Sequence, residues 1–181
     1  MRITIDPEQV KRTFGKFSSN SSLQESAQLF AQGLPVAEMI QAFAMSENVL
    51  RAFAAFESVY PRGNLERGIL EKVILRVSQM HECQFCINSH LTIMEKLAVN
   101  TDVSADIGHT PRERLALRFA ELVTRDSNGV PDEFFLELKT AFTEPELVEL
   151  TFLIGFITML NRFNNALQIR YRGEFKEVQV H

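Results

Sequence analysis

The chain has 181 residues, 45 % of them hydrophobic and fifteen of them Phe, which suits one folded domain with a sizeable core. A net charge of −4 and a pI of about 5.6 argue against a nucleic-acid partner, because phosphate binding needs a basic face. The longest apolar stretch, 152–160, is interrupted by Gly155 and Thr158 and falls far short of the roughly 20 residues of a membrane span.

No internal repeat or low-complexity tract breaks the chain. Residues 1–20 read as a mixed N-terminal arm, 21–172 as one helical domain and 173–181 as a C-terminal tail, with Glu174–His181 extended or disordered. Ser22-Leu-Gln-Glu25 has capping-box spacing, and the helix it opens stops at Gly33, with Pro35 starting the next. Residues 35–59 form two helices or one broken near Ser46, with Phe43, Phe53 and Phe56 on a buried stripe. Tyr60–Asn64 is a turn, and Asn64 is the expected N-cap of a helix over 65–80. A cysteine-bearing helix runs to about Ala98, and a polar loop covers 99–110. Thr110-Pro-Arg-Glu113 opens a helix ending near Arg125, Pro131-Asp-Glu opens a short one to Phe142, and Thr143-Glu-Pro-Glu146 opens the longest, 144–170. That last helix is apolar on nearly every side from Leu147 to Leu160, which places it centrally or at a subunit interface. The expected fold is all-α.

The chemistry concentrates between Glu71 and His90, which enclose both cysteines of the chain. On a helix, Cys83, Cys86 and His90 share one face, and Cys83 sits near the N-terminus, where free amides and the macrodipole stabilise a thiolate. His90 is placed to take the Cys86 proton. Were 71–90 one continuous helix, Glu71 and His90 would be about 28 Å apart at ~1.5 Å per residue. An antiparallel helix pair turning at Met80–His81 brings them level instead, and the polar patch Gln79–Glu82 can supply the turn. Glu71 would then orient the His90 ring. The spacing also admits a zinc site built from Cys83, Cys86, His90 and either Glu71 or His81, or two core cysteines with no chemistry. It excludes c-type haem attachment, because Ile87 follows the second cysteine.

The spacing Glu71-x11-Cys83-x2-Cys86-x3-His90 resembles the active-site signature of the alkylhydroperoxidase D (AhpD)-like group of the carboxymuconolactone decarboxylase family. The flanks Leu75-Arg-Val-Ser, Arg118–Arg125 and Asn161–Leu167 are similar to it too. The resemblance implies a helical bundle with the CxxC pair at the start of a central helix, assembled as a homo-oligomer, often a trimer or hexamer. It further implies a thiol-dependent peroxidase or disulfide oxidoreductase of antioxidant defence that needs no cofactor. Cys86 would be the peroxidatic cysteine, Cys83 the proton donor and resolving thiol, and His90 with Glu71 the water-bridged relay. The substrate would be a hydroperoxide, and the electron donor a thiol or dithiol such as a peroxiredoxin or lipoyl-type partner. The family's decarboxylase branch lacks the cysteine pair. One departure is Phe85, where members can carry a further relay histidine; His81 is the nearest substitute. The helix dipole favours Cys83 as the thiolate while the base at His90 favours Cys86, and the resemblance sides with Cys86.

A non-catalytic metal-binding or redox-sensing protein is the alternative. The N-terminus lacks the apolar run of a secretory signal, so a cytoplasmic location is expected, and there a close cysteine pair is catalytic or metal-binding rather than a structural disulfide. Arg67 is expected to pair with Glu71 along the helix, and His109 to serve the loop before a cap. Asn161, Arg162, Asn164 and Asn165 are unusually polar after so apolar a helix and line either the cleft or an interface.

Overall fold

The computed structural model describes residues 1–17, 19–20, 23–57, 63–104 and 108–174. Among them the regular structure is wholly helical: α1 (Pro7–Gly15), α2 (Gln24–Ala31), α3 (Glu38–Ala44), α4 (Glu47–Glu57), α5 (Arg67–Met80), α6 (Gln84–Lys96), α7 (Pro111–Asp126), α8 (Asp132–Ala141) and α9 (Glu144–Leu167), with a 3-10 turn at Ser127–Gly129. The centre is α5, which packs against α6, α7 and α9. Its residues 69–75 are buried without a break, so the helix is enclosed on every side. Two of those residues, Glu71 and Lys72, are charged, and burial obliges each to find partners.

Helix α9 explains how the core meets the hairpin of α5 and α6. Leu147, Leu150, Ile154 and Ile157 repeat at three- and four-residue spacing and are buried, each burial stabilising by roughly 1.5–3 kcal/mol. The same stripe continues through Asn161 and Asn164, so these two amides also point inward and are buried. The opposite face stays open: Val148, Phe152 and Met159 are 70 %, 59 % and 48 % exposed and line an apolar groove with Thr151, Gly155 and Phe156. Among the described residues no helix is long and apolar enough to cross a membrane.

The helix starts follow their caps closely where the signals were strong. Thr110–Glu113 and Thr143–Glu146 are both complete capping boxes with Pro in the first turn. The break near Ser46 separates α3 from α4. Three expectations need correction. Residues 7–15 of the N-terminal arm are a helix, begun by Asp6 accepting from the Glu8 amide ahead of Pro7, and its Val10 and Phe14 are buried in the core. Asn64 does not cap α5, whose N-cap is Glu66; the Asn64 backbone amide and side chain instead reach Glu149 on α9. Pro35 begins no helix: an extended stretch carries Val36 and Ala37 into the core before α3 opens at Glu38. The Ser22 capping box, much of the Tyr60–Asn64 turn and the tail beyond Glu174 lie outside the described residues.

Candidate active site

The pair α5 and α6 forms the expected antiparallel hairpin, and its turn has a definite construction. His81 ends α5, Glu82 takes a left-handed φ of 53°, and the amides of Glu82 and Cys83 donate back to the carbonyls of Gln79 and Ser78 at 3.1 and 3.0 Å. This is the Schellman arrangement that closes helices, here with Glu where Gly is usual. The reversal lays α6 alongside α5 and brings His90 to Glu71. His90 Nδ1 lies 2.6 Å from Glu71 Oε2, and Arg67 Nη2 lies 2.7 Å from Glu71 Oε1 one turn earlier. Glu71 is fully buried and His90 keeps 17 % of its side chain accessible. With Nδ1 donating to the carboxylate, Nε2 is the acceptor position left to the ring.

Cys83 is the N-cap of α6, and its Sγ accepts the Cys86 amide at 3.4 Å. Both cysteines are buried and unbridged. The Cys86 thiol donates to Cys83, and this hydrogen bond, opposed by burial and helped by the Cys86 amide, pulls the Cys83 thiol below its ordinary range. The same contact, with burial and the charge on Cys83, pushes Cys86 far up. Of the two thiols, Cys83 is therefore the one that gives up its proton more readily. No direct hydrogen bond links His90 to Cys86 among the described residues, although the two are one helical turn apart on α6.

The sequence matches no protein-family model. Two curated relatives align with it: the uncharacterised protein YdfG of Bacillus subtilis, 25 % identical over 73 % of this chain and 95 % of that one, and the uncharacterised protein YnjA of Escherichia coli, 34 % identical over 62 % and 65 %. Among solved structures, a peroxidase-related protein of Silicibacter sp. superposes with a TM-score of 0.75 at 18 % identity, covering 97 % of this chain and 94 % of that one. An Agrobacterium tumefaciens protein of unknown function, with a suggested antioxidant-defence assignment as AhpD, gives 0.64 at 25 % identity over 70 % and 92 %. The chain has the fold of the AhpD-like proteins. The fold is not confined to one activity: the debrominase Bmp8 also superposes, with a TM-score of 0.64 at 20 % identity over 92 % and 86 %.

On this AhpD-like fold α9 supplies a further set of groups around the thiols. Asn164 Nδ2 donates to Cys86 Sγ at 3.3 Å and to Met39 Sδ at 3.4 Å. Asn161 Oδ1 accepts from the Ser78 hydroxyl at 3.2 Å, and Asn165 Nδ2 donates to the His81 carbonyl at 2.8 Å. Asn161, Asn164 and Asn165 thus each bond to the hairpin, while Arg162 is exposed. Burial, with Arg162 nearby, lowers the His81 pKa. His81 stands in the turn and not at the thiols.

Glu57, the last residue of α4, escaped the sequence reading. Its carboxyl faces His90, Arg67 and Glu71, and burial raises its pKa to about 7 against the partial offset of His90 and Arg67. His109, expected in a loop role, is buried with Lys72 Nζ 3.2 Å from its Nδ1; Lys72 in turn pairs with Glu113 at 2.6 Å. As a metal site the hairpin is poorly disposed. Glu71 and His90 face each other, and among the described residues no three His, Cys, Asp or Glu side chains converge to hold an ion.

Proposed function

We propose that the protein is a thiol-dependent peroxidase or disulfide oxidoreductase of antioxidant defence, working through a Cys83–Cys86 dithiol/disulfide cycle. The observation that carries this reading is the buried thiol pair at the start of α6 beside a histidine fixed by a buried carboxylate. One deprotonation, relayed through a water to His90, leaves a single proton on the two thiols. Transfer of that proton from Cys86 to Cys83 makes Cys86 the nucleophile. Its sulfur attacks the distal peroxide oxygen and the O–O bond breaks. Cys83 protonates the departing alkoxide, giving an alcohol, a Cys86 sulfenic acid and a Cys83 thiolate. Cys83 then attacks the sulfenic sulfur, hydroxide leaves with the proton held on His90, and the disulfide closes. An external dithiol, of the peroxiredoxin or lipoyl class, reduces it.

A homo-oligomer, trimer or hexamer, is part of the same proposal. It would cover the apolar α9 face at Val148, Phe152 and Met159, where Gly155 leaves room for close approach. So is a cytoplasmic location, where reductant for the pair is at hand.

The test is turnover of an organic hydroperoxide with a dithiol reductant. Cys86→Ser is expected to abolish it, and equal turnover by variant and wild type would overturn the reading. A halogenated aromatic belongs in the same panel, because a debrominase has this fold. Reversible oxidation of the pair without turnover would favour a redox sensor instead.

A further inference from the structure

Cys83 gives up its proton more readily, yet the proposed cycle sends Cys86 against the peroxide. The Cys83 contact, burial and the charge on Cys83 all press Cys86 toward its neutral form, and the amide of Asn164 works against them.

Asn164 sits where a leucine would suit the helix. It continues the buried stripe of Leu147, Leu150, Ile154 and Ile157 and is 1 % exposed. Its Nδ2 carries two hydrogens, one directed at Cys86 Sγ at 3.3 Å and the other at Met39 Sδ at 3.4 Å. A thioether sulfur accepts and never donates, so Met39 fixes which way the amide faces, with its nitrogen toward the two sulfurs. The oxygen left over, Oδ1, is buried and finds no partner among the described residues. An amide buried with its acceptor unmet lowers stability, and a leucine would avoid that penalty. What the position gains instead is an N–H at the Cys86 sulfur.

The surroundings hold this donor in place. The Asn164 carbonyl accepts the Ile169 amide at 2.9 Å, where Gln168 turns left-handed with a φ of 53° and ends α9. Met39 follows Glu38, whose buried carboxylate accepts from Arg170 Nη2 at 3.1 Å and Arg172 Nε at 2.9 Å, so the segment after α9 is tied to the start of α3. A donor fixed in this way is already aimed when charge develops on the sulfur.

We infer that Asn164 is a catalytic residue of the dithiol cycle, its Nδ2–H being the donor that holds the Cys86 sulfur in its charged, attacking form. No bond is made or broken at Asn164. The Cys86 proton passes to Cys83 as in the cycle above, and the hydrogen bond from Asn164 strengthens as its acceptor becomes an anion. The inference rests on the dithiol reading and adds to it the group that steadies the nucleophile.

The experiment is a pH titration of the thiol left in Cys83→Ser, followed by the ultraviolet absorbance of the thiolate, with and without a change at Asn164. The titratable neighbours of Cys86 are then His90 one turn along α6, with Glu71 and Glu57 behind it, while α3 and α9 present the uncharged Met39 and Asn164. Asn164→Leu should lower the thiolate fraction at a given pH about tenfold, the effect of one lost hydrogen bond to a charged group. Asn164→Asp, of the same shape but with a carboxylate for the amide, should lower it further. Asn165→Leu, which loses the bond to the His81 carbonyl, should leave the titration in place. An unmoved titration in either Asn164 variant, or an equal shift in Asn165→Leu, overturns the inference. Should Asn164→Leu not fold, the isosteric Asp variant decides alone. The readout needs no peroxide, so a protein that shows these shifts and fails to turn over hydroperoxide loses the peroxidase reading and keeps Asn164 as the Cys86 donor.

Discussion

Two neighbouring residues of α5 build two clusters of the same three ingredients with different outcomes. Glu71 joins a carboxylate, the Arg67 cation and the His90 imidazole; Lys72 joins a cation, the Glu113 carboxylate and the His109 imidazole. Both core residues are buried, and both reach across to a separate element. The difference lies in what the imidazole can do next. His90 keeps 17 % of its side chain accessible and stands one turn from Cys86, whereas the His109 side chain has 0 % accessible and stands before the cap of α7. The second cluster fastens the 108–113 segment to α5; the first has the groups that the proposed proton relay needs. An acid, a base and a histidine in contact are therefore not a site until a reactive group and a path for protons are added.

The sharpest way to break this comparison is to disable each cluster in turn. Glu71→Gln keeps shape and removes the charge that orients His90, so turnover of hydroperoxide should drop by roughly 10²-fold or more with the fold retained. Lys72→Met should do the reverse. It leaves Glu113 without its buried cation and should destabilise by about 2–4 kcal/mol in denaturant unfolding, with turnover per folded molecule held. Equal effects of both variants on turnover would erase the distinction.

A smaller effect tests the acid that faces the first cluster and has no counterpart in the second. The Glu57 pKa is raised from its ordinary 4.5 to about 7. Between those values the folded chain holds a proton that the unfolded chain has released, so stability should fall as pH rises through this window. The residue as a whole is only half-buried, so the expected loss is about 1–2 kcal/mol. Urea unfolding across pH 4.5–7.5 should show it in wild type and not in Glu57→Gln. Smallest is the turn itself. Glu82→Gly removes a left-handed strain of about 1 kcal/mol, offset in part by greater unfolded-chain freedom, so a net gain of some tenths to ~1 kcal/mol is expected.

What could be read from the sequence depended on how local each signal was. The hairpin was legible because one arithmetic constraint, Glu71 level with His90, fixed both its turn and its direction. The two capping boxes located the starts of α7 and α9 to the residue because their hydrogen bonds lie within four residues; the end of α9 falls at Leu167, short of the expected 170. Asn161 and Asn164 carried a legible clue, since they fall on the stripe of Leu147, Leu150, Ile154 and Ile157. Their partners did not, because Ser78 and Cys86 come from another part of the chain and no spacing rule links them. Glu57 left no trace for the same reason: only packing brings the end of α4 to His90. The helix of residues 7–15 was announced by Asp6-Pro7, yet its short length and mixed composition made an arm the simpler reading.

Cys83 has two backbone duties at once. Its amide closes α5 on Ser78, and its carbonyl accepts the Ile87 amide that opens α6, at 2.8 Å. Only His81 and Glu82 separate the last residue of α5 from this N-cap, and Glu82 is already committed to a left-handed φ. The turn therefore has little slack. Whatever torsion the backbone of Cys83 adopts on bonding to Cys86 is transmitted to both helices like a crank shared by two shafts. In the proposed dithiol/disulfide cycle the oxidation state of the two sulfurs would therefore bear on how α5 meets α6, and through Ser78 and Asn165 on the seating of α9.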